Sequence, residues 1–303
     1  MGELQHLPAM VEEVVQFLDC RPDRTYVDCT LGGGGHAIEI LKKSIPSGRL
    51  IGIDCDLSAI DKAKKRLETF QERVTIIHDN YINLGCILEG LKIEKVDGIL
   101  FDLGISSFQV DSGERGFSFQ LDSPLDMRFD QRTTLSAYHV VNKFPASEIK
   151  KIIKNYGEER FADRITRAID KKRKVEPIST TDNLSQIIKY SVPKSYRWGR
   201  IHPATRTFQA IRIAVNDELN NFKKALYDSI NFLVKGGRLC VVSFHSLEDK
   251  ITKHFFKDLE KNNGPLAPAK FKILTKKPLI PKISETDMNP RSRSSKLRVV
   301  ERL

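Results

Sequence analysis

The chain has 303 residues, 40% of them hydrophobic, with a formal net charge of +11, enough for one large domain or two smaller ones. No apolar run approaches the roughly 20 residues that span a bilayer, and Met1 to Met10 lacks the basic and apolar regions of a secretory signal. Five cysteines, Cys20, Cys29, Cys55, Cys86 and Cys240, form no Cys-x-x-Cys pair and no Cys/His ligand spacing. The sequence therefore predicts reduced thiols, no metal, no membrane partner and a cytoplasmic protein.

The charge is unevenly spread. Residues 1–130 carry 14 Lys and Arg against 22 Asp and Glu, residues 131–206 carry 17 against 7, and residues 207–303 carry 19 against 10. Basic charge gathered in the later parts of a chain favours a polyanionic partner, nucleic acid first.

Residues 8–18 read as an amphipathic helix with Pro8 in its first turn. Tyr26 to Asp28 is a short strand that breaks into four glycines, Gly32 to Gly35. A helix follows, with Ala37, Ile38, Leu41 and Ile45 on one face. Strand, glycine turn and helix form a nucleotide cradle, because backbone without Cβ atoms admits a ligand to free helix N–H groups. A second strand, Leu50 to Ile53, ends at Asp54, 20 residues past Gly34, where doubly wound folds set an acid against ribose hydroxyls. Asp56 or Ser58 suits the cap of the next helix, Ala59 to Phe70. Strand three, Val74 to His78, leads to Asp79-Asn80-Tyr81. There Tyr81 could lie along an adenine, and Asp79 is either near its amino group or a turn residue. A helix over Leu84 to Leu91 precedes strand four, Val96 to Phe101, which ends at Asp102. This alternation predicts an open, largely parallel α/β sheet.

From Gly104 to Asp130 the period disappears. Phe108, Phe117 and Phe119 argue against disorder, so the stretch reads as an ordered loop over the ligand. Residues 147–200 are helical: Ser147 caps one run, Phe161, Ile165, Ala168 and Ile169 mark another, and Thr181 or Asp182 caps a third. With no βα alternation, this is an all-α insertion. Its basic features are Lys171 to Lys174, ordinarily a solvated helix end, and Tyr196-Arg197-Trp198-Gly199-Arg200, whose aromatics and arginines suit bases and phosphates. The α/β pattern resumes near Thr205, with Phe208, Ile211, Val215, Leu219 and Phe222 as one apolar stripe. Gly236-Gly237 ends that helical region, and Arg238 to Phe244 is a fifth strand. His245, at its tip, either caps the following helix or contacts substrate. A proline-rich tail with Arg291 and Arg293 leads to a terminal strand, Lys296 to Val300.

Gly32-x-Gly34-x-x-Ala37 satisfies a dinucleotide fingerprint. Asp28, just before the glycines, would repel a pyrophosphate but attract a cationic group such as that of S-adenosylmethionine. There is also no second mononucleotide half, and the C-terminal order of helix, Gly-Gly, strand, helix and strand suits a methyltransferase sheet. These features favour a methyltransferase over a dehydrogenase.

Eight phrases then become specific: Val-Asp-Cys-Thr-Leu-Gly-Gly-Gly-Gly-His (27–36), Phe-Asp-Leu-Gly-Ile-Ser-Ser (101–107), Glu-Arg-Gly-Phe-Ser-Phe (114–119), Pro-Leu-Asp-Met-Arg (124–128), Tyr-Gly-Glu-Glu-Arg-Phe (156–161), His-Pro-Ala-Thr-Arg-Thr-Phe-Gln-Ala (202–210), Ser-Phe-His-Ser-Leu-Glu-Asp (243–249) and Asn-Pro-Arg-Ser-Arg-Ser-Ser (289–295). In this order, across essentially the whole chain, they resemble the RsmH family, also called MraW. The resemblance implies a class I (Rossmann-like) S-adenosylmethionine-dependent methyltransferase sheet interrupted by a helical domain, placed here at 112–206 between 1–111 and 207–303. It implies methylation of N4 of a cytidine in the decoding region of 16S rRNA of the small ribosomal subunit. Carried over by motif, the cofactor contacts would be Gly34, Gly35, His36, Asp54, Tyr81, Asp102 and Gln109. The family more often has Phe where this chain has Tyr81, and Thr30 replaces the first glycine of the general class I signature.

The position of Asp102 at a strand tip makes it the candidate catalytic acceptor, with Ser106 assisting. The chain has Asp-Leu-Gly-Ile there, not the Asp/Asn-Pro-Pro-aromatic of many amino-methyltransferases. Two other readings stand beside this one: a cysteine nucleophile acting at C5, and an RNA-binding assembly factor with a vestigial fold. The sequence is silent on oligomeric state.

Overall fold

The computed structural model describes residues 8–106, 109–110, 113–199, 201–261 and 269–303. In chain order the elements are α1 (Val11–Leu18), β1 (Thr25–Asp28), α2 (Gly35–Lys43), β2 (Arg49–Asp54), α3 (Leu57–Arg66), β3 (Val74–His78), α4 (Leu84–Gly90) and β4 (Val96–Asp102). Then come α5 (Ala137–Lys143), α6 (Ala146–Gly157), α7 (Ala162–Arg173), α8 (Thr181–Ser191), α9 (Lys194–Arg197) and α10 (Thr205–Asn216). The chain closes with α11 (Glu218–Phe232), β5 (Leu233–Ser243), α12 (Ser246–Glu260), β6 (Phe271–Ile273), α13 (Ile283–Met288) and β7 (Lys296–Arg302). It divides into two compact units, one of Met1–Gly104 with Leu219–Leu303 and one of Ile105–Glu218.

The first unit is built on a seven-stranded sheet in the order β3-β2-β1-β4-β5-β7-β6. The strands β1 to β5 run parallel, and β7 is antiparallel to both β5 and β6. The central strands are near-continuous apolar runs because both of their faces are covered. On one face Val27, Ile51, Ile53, Ile99, Phe101 and Val241 pack against Leu84, Leu88, Phe222, Leu226 and Phe256 of the helices. On the other, Tyr26, Leu50, Leu100, Cys240 and Val242 pack against Val14, Leu18, Ile40, Leu41, Ala63 and Leu67.

Two features of this sheet depart from the sequence reading. Gly236-Gly237 does not end a helix, since α11 stops at Phe232 and β5 has already begun at Leu233. Gly236 lies at φ +79°, and the pairing of β5 with β4 shifts between Val96 and Gly98, so the glycines serve a bulge within the strand. The strand β6 was not expected at all: it is three residues long in a proline-rich tail, and its pairing with β7 is a long-range event without a local signal.

The second unit is helical around Val140, Ile149, Ile153, Ile165, Leu184 and Ile211. The aperiodic stretch belongs to this core: Phe117, Leu125 and Met127 are buried in it, and Phe119 stacks on His202 at 4.6 Å. Its backbone is tied by Leu125 N–H donating to Ser179 O at 3.0 Å and Tyr138 N–H to Leu125 O at 2.7 Å. Phe108 lies outside the described residues. The helix caps fall one or two residues earlier than expected, at Pro145 and Thr180, the usual uncertainty of helix ends.

The apolar stripe from Phe208 to Phe222 is two helices, not one. Asp217 adopts a left-handed conformation at φ 47°, sending Phe208, Ile211 and Val215 into the core of the second unit and Phe222 into that of the first. The compact units therefore divide at 104/105 and 218/219, whereas the sequence placed the divisions at 111/112 and 206/207. Just before this break, Arg212 and Glu218 form a buried pair with two bonds, at 2.9 and 3.0 Å. The linear charge segregation also changes meaning. The second unit carries 20 Lys and Arg against 14 Asp and Glu, and the first carries 30 against 25. The acidic N-terminal stretch folds with the basic C-terminal one, as Lys282 on Glu12 illustrates.

The helices α6 and α10 pack tightly at Gly157, where an added Cβ would lie 2.6 Å from the backbone oxygen of Arg206. Backbone cannot yield as a side-chain tip does. Gly157→Ala is expected to destabilise the protein by about 1–3 kcal/mol, seen as a lowered melting temperature by circular dichroism. An unchanged melt would mean that the α6–α10 contact has slack.

Candidate nucleotide site

Strands β1 to β4 point their carboxyl ends to the same edge, and the strand order reverses between β1 and β4. A crevice at that reversal, beyond the carboxyl ends, is where open α/β sheets take ligands. Three neighbouring strands each end there on an acid: Asp54 on β2, Asp28 on β1 and Asp102 on β4.

Thr30 ties two of these tips together. Its hydroxyl accepts from the Asp102 backbone N–H at 2.6 Å and lies 3.4 Å from Asp28 Oδ1, to which it donates. Its own N–H donates to the same Asp28 oxygen at 3.1 Å. Further anchors are Cys29 N–H to Leu100 O at 2.9 Å and Leu31 N–H to Ile53 O at 3.0 Å. Asp54 holds the turn from the other side, with Oδ2 accepting from Gly32 N–H at 2.7 Å and Oδ1 from Asp56 N–H at 2.8 Å. Asp56 is the residue that caps α3, accepting from Ser58 N–H. The Cys55 backbone N–H bonds to Asp54 as well; since a carboxylate offers about four acceptor positions, Asp54 retains room after these three bonds.

His36 sits 3% exposed beneath this edge. Its Nε2 lies 3.0 Å from Ala9 O and its Nδ1 3.4 Å from Asp102 Oδ2. Both nitrogens face acceptors, an arrangement that favours the doubly protonated imidazolium. Burial opposes that charge, but Asp102 and then Asp28 outweigh it and raise the pKa above the ordinary histidine value. Asp102 Oδ1, by contrast, is buried with no hydrogen-bond partner. Burial pushes Asp28 up to about 6, partly offset by His36, and pushes Asp54 up to about 6, partly offset by the Asp56 and Gly32 amides. The edge thus concentrates negative charge at a cost that a cation would relieve.

The glycines serve the chain's own packing as well as any ligand. Gly34 is at φ +77°, and its missing Cβ would meet Leu67 Cδ1 at 3.3 Å. Gly35 is pressed by the Pro8 ring, with Cγ 2.8 Å from where a Cβ would be. Tyr81 opens a short 3-10 turn, Tyr81–Asn83, and packs edge-on against Phe101 with ring centroids 5.8 Å apart. Asp79 acts as a turn residue, its Oδ1 accepting from Asn80 N–H at 2.7 Å and Asn83 Nδ2 at 2.9 Å. Gln109 belongs to the second unit, where its Oε1 accepts from Ser106 N–H at 3.0 Å, while Ser106 Oγ is buried without a hydrogen-bond partner.

His245 caps α12 in a reciprocal box with Glu248, which is the helix-capping reading of that residue. The cysteine route fares poorly. Burial drives the Cys29 and Cys240 thiols well above their ordinary pKa, and nucleophilic cysteines need the opposite. No group of three or more His, Cys, Asp or Glu among the described residues could hold a metal. The basic run that ends α7 is mostly engaged locally: Arg173 with Asp170, Lys174 with Asp170, and Lys172 with Glu176. No described helix is long and apolar enough to cross a membrane.

Sequence reasoning missed the bridging role of Thr30 and the ring contacts of His36. An acid two residues before a threonine is the signature of an Asx-type turn, so the Asp28–Thr30 half of the bridge had a local signal. The contacts to Asp102 and Ala9 had none.

The sequence model of the MraW methylase family matches residues 3–303. The chain is 50% identical to the ribosomal RNA small subunit methyltransferase H of Clostridium botulinum strain Kyoto, covering 99% of this chain and 100% of that protein. It is 48% identical to the protein of that name from Brevibacillus brevis, covering 98% of each, and 45% identical to that from Clostridioides difficile, covering 99% and 100%. Among solved structures, a SAM-dependent O-methyltransferase from Thermotoga maritima is 11% identical and overlaps 97% of this chain and 64% of its own at a TM-score of 0.41, too weak a likeness to argue from. With its order of seven strands and a family match from end to end, the chain belongs to the MraW methylase family, and its sheet is that of a class I S-adenosylmethionine-dependent methyltransferase.

Proposed function

We propose that this protein transfers a methyl group from S-adenosylmethionine to N4 of a cytidine in the decoding region of 16S rRNA, with the small ribosomal subunit as its partner. The relatives' shared name supports a small-subunit rRNA as the substrate. The base and its N4 come from the eight-phrase resemblance to the RsmH family. The observation that carries the chemistry is Asp102 Oδ1, a buried acceptor without a partner at the strand-order reversal, since such atoms ordinarily find one.

The residues present fit the cofactor. When bound, S-adenosylmethionine supplies a methyl made electrophilic by its sulfonium charge. Asp54, with acceptor capacity to spare, would hold the ribose hydroxyls, and Tyr81 would lie along the adenine. Gly34, Gly35 and His36 at the start of α2 would present backbone to it, and the resemblance adds Gln109 to these contacts. Asp28 contributes negative charge that favours a cation.

The N4 amine is a weak nucleophile because its lone pair is delocalised into the ring, so catalysis asks mainly for alignment and for exclusion of water. In this proposal Asp102 accepts a hydrogen bond from N4 through Oδ1, stabilises the positive charge that develops there, and takes the proton. His36 Nδ1, 3.4 Å from Oδ2, orients the carboxylate and so Oδ1.

Incubating ribosomal RNA or small subunits with labelled cofactor and mapping the label should place it on N4 of one cytidine of 16S rRNA. Label at C5 or on another base would overturn the substrate assignment, and absent affinity for S-adenosylmethionine would favour the vestigial binding factor. Asp102→Asn should lower kcat by about 100-fold or more at saturating cofactor; near-normal turnover removes Asp102 as proton acceptor.

Asp28 and Asp54 have folded pKa values of about 6, above the ordinary 3.8. Their protonated forms stabilise the fold at low pH, and that contribution is lost as pH rises through about 6. A cation prefers the ionised acids. Cofactor affinity measured by calorimetry should therefore weaken as pH falls below about 6, with protons released on binding near that pH. A flat affinity between about pH 5 and about pH 8 would detach these acids from the cofactor.

A further inference from the structure

The run Tyr196-Arg197-Trp198 splits between anchor and display. Tyr196 turns inward: its hydroxyl donates to Glu159 Oε2 at 2.8 Å, and its ring meets Phe161 edge-on at 4.9 Å. Arg160 lies over both rings, 4.7 Å from the Phe161 centroid and 4.9 Å from that of Tyr196. The short helix α9 is held by this anchor, and Trp198, its C-cap, is held with it. Yet Trp198 is 83% exposed, and Tyr190 on α8 is 65% exposed.

Each of these exposed rings has a cation over it. Lys189 Nζ is 5.7 Å from the Trp198 ring, and Arg197 Cζ is 5.2 Å from the Tyr190 ring. Arg197 is fixed there by Nε and Nη2 donating to Val192 O and Tyr190 O, both at 3.2 Å. From Asn183 to Asn216 the chain carries six Lys and Arg and no Asp or Glu. Flat aromatic faces beside fixed cations, without a carboxylate in the segment, match unpaired bases joined by phosphates, because every base stacks and every phosphate is anionic.

We propose that Trp198 and Tyr190 form a stacking platform for single-stranded RNA, with Lys189, Lys194 and Arg197 serving its phosphates. This deepens the rRNA reading above and rests on it for the identity of the RNA.

Trp198 is the sole tryptophan of the chain, so the fluorescence of the intact protein reports this one place. Titration with a fluorescein-labelled oligocytidylate of about ten nucleotides should quench Trp198 in step with the rise in anisotropy of the label, and both should weaken steeply with salt. Trp198→Ala should lower the RNA affinity about tenfold or more, with Trp198→Phe recovering much of it and both melting as the parent does. The corresponding change with rRNA as methyl acceptor should appear in KM, with kcat largely kept. RNA binding by anisotropy without quenching, or an unaltered KM in Trp198→Ala, would overturn the platform while methyl transfer by the parent protein left the rRNA reading standing. No methyl transfer to any rRNA by the parent protein would instead strike that reading, and the fluorescence arm would still decide the platform.

Discussion

One hydroxyl fixes the edge on which the site depends. Thr30 accepts from the backbone of Asp102 and donates to the side chain of Asp28, joining the tips of β1 and β4 at the point where strand order reverses. That spacing sets where Asp102 stands, and the glycine turn is then pinned from the β2 side by Asp54 on Gly32. A glycine in place of Thr30 would keep the backbone bonds of the turn, including Cys29 to Leu100, but lose the side-chain bond to Asp102. The departure from the general class I signature is therefore a structural bond in this chain.

Around that bond the electrostatics are arranged in depth. Asp28 is 1% exposed and has neighbouring acids, so its ionisation is costly and its pKa is pushed up to about 6. His36 compensates from below as an imidazolium, fixed by the Ala9 carbonyl just before α1. The segment ahead of the first helix thus reaches the site: Pro8 packs on Gly35, and the Ala9 carbonyl holds the His36 ring. One oxygen of Asp102 is consumed by this support, and the other is left as an acceptor.

The second unit shows how a stretch without period can still be structural. Its serine- and glycine-rich loop has no helical or strand repeat, yet Phe117, Leu125 and Met127 are core residues. Backbone groups that an element would have satisfied internally are instead bonded to Ser179, Tyr138 and Asn216. Its arginines and aromatics also divide their labour, Tyr196 anchoring and Trp198 standing in solvent.

What the sequence determined by itself were the features with local causes. Apolar runs ending at or just before an acid marked β1 to β4, since a parallel strand and its tip are written within a few residues. Position narrows the α3 cap to Asp56 or Ser58, and the structure selects Asp56; the acids at 28, 54 and 102 follow from where the runs stop. Tertiary structure alone decided what depends on distant partners. It made Gly236-Gly237 a bulge, because β4 lies alongside, and it created β6, because β7 pairs with it. It cut one apolar stripe at Asp217 into two cores and folded the acidic beginning of the chain together with its basic end. It also assigned His36 its two acceptors, from residues 27 positions before it and 66 after it in the chain, a relation that no local pattern encodes.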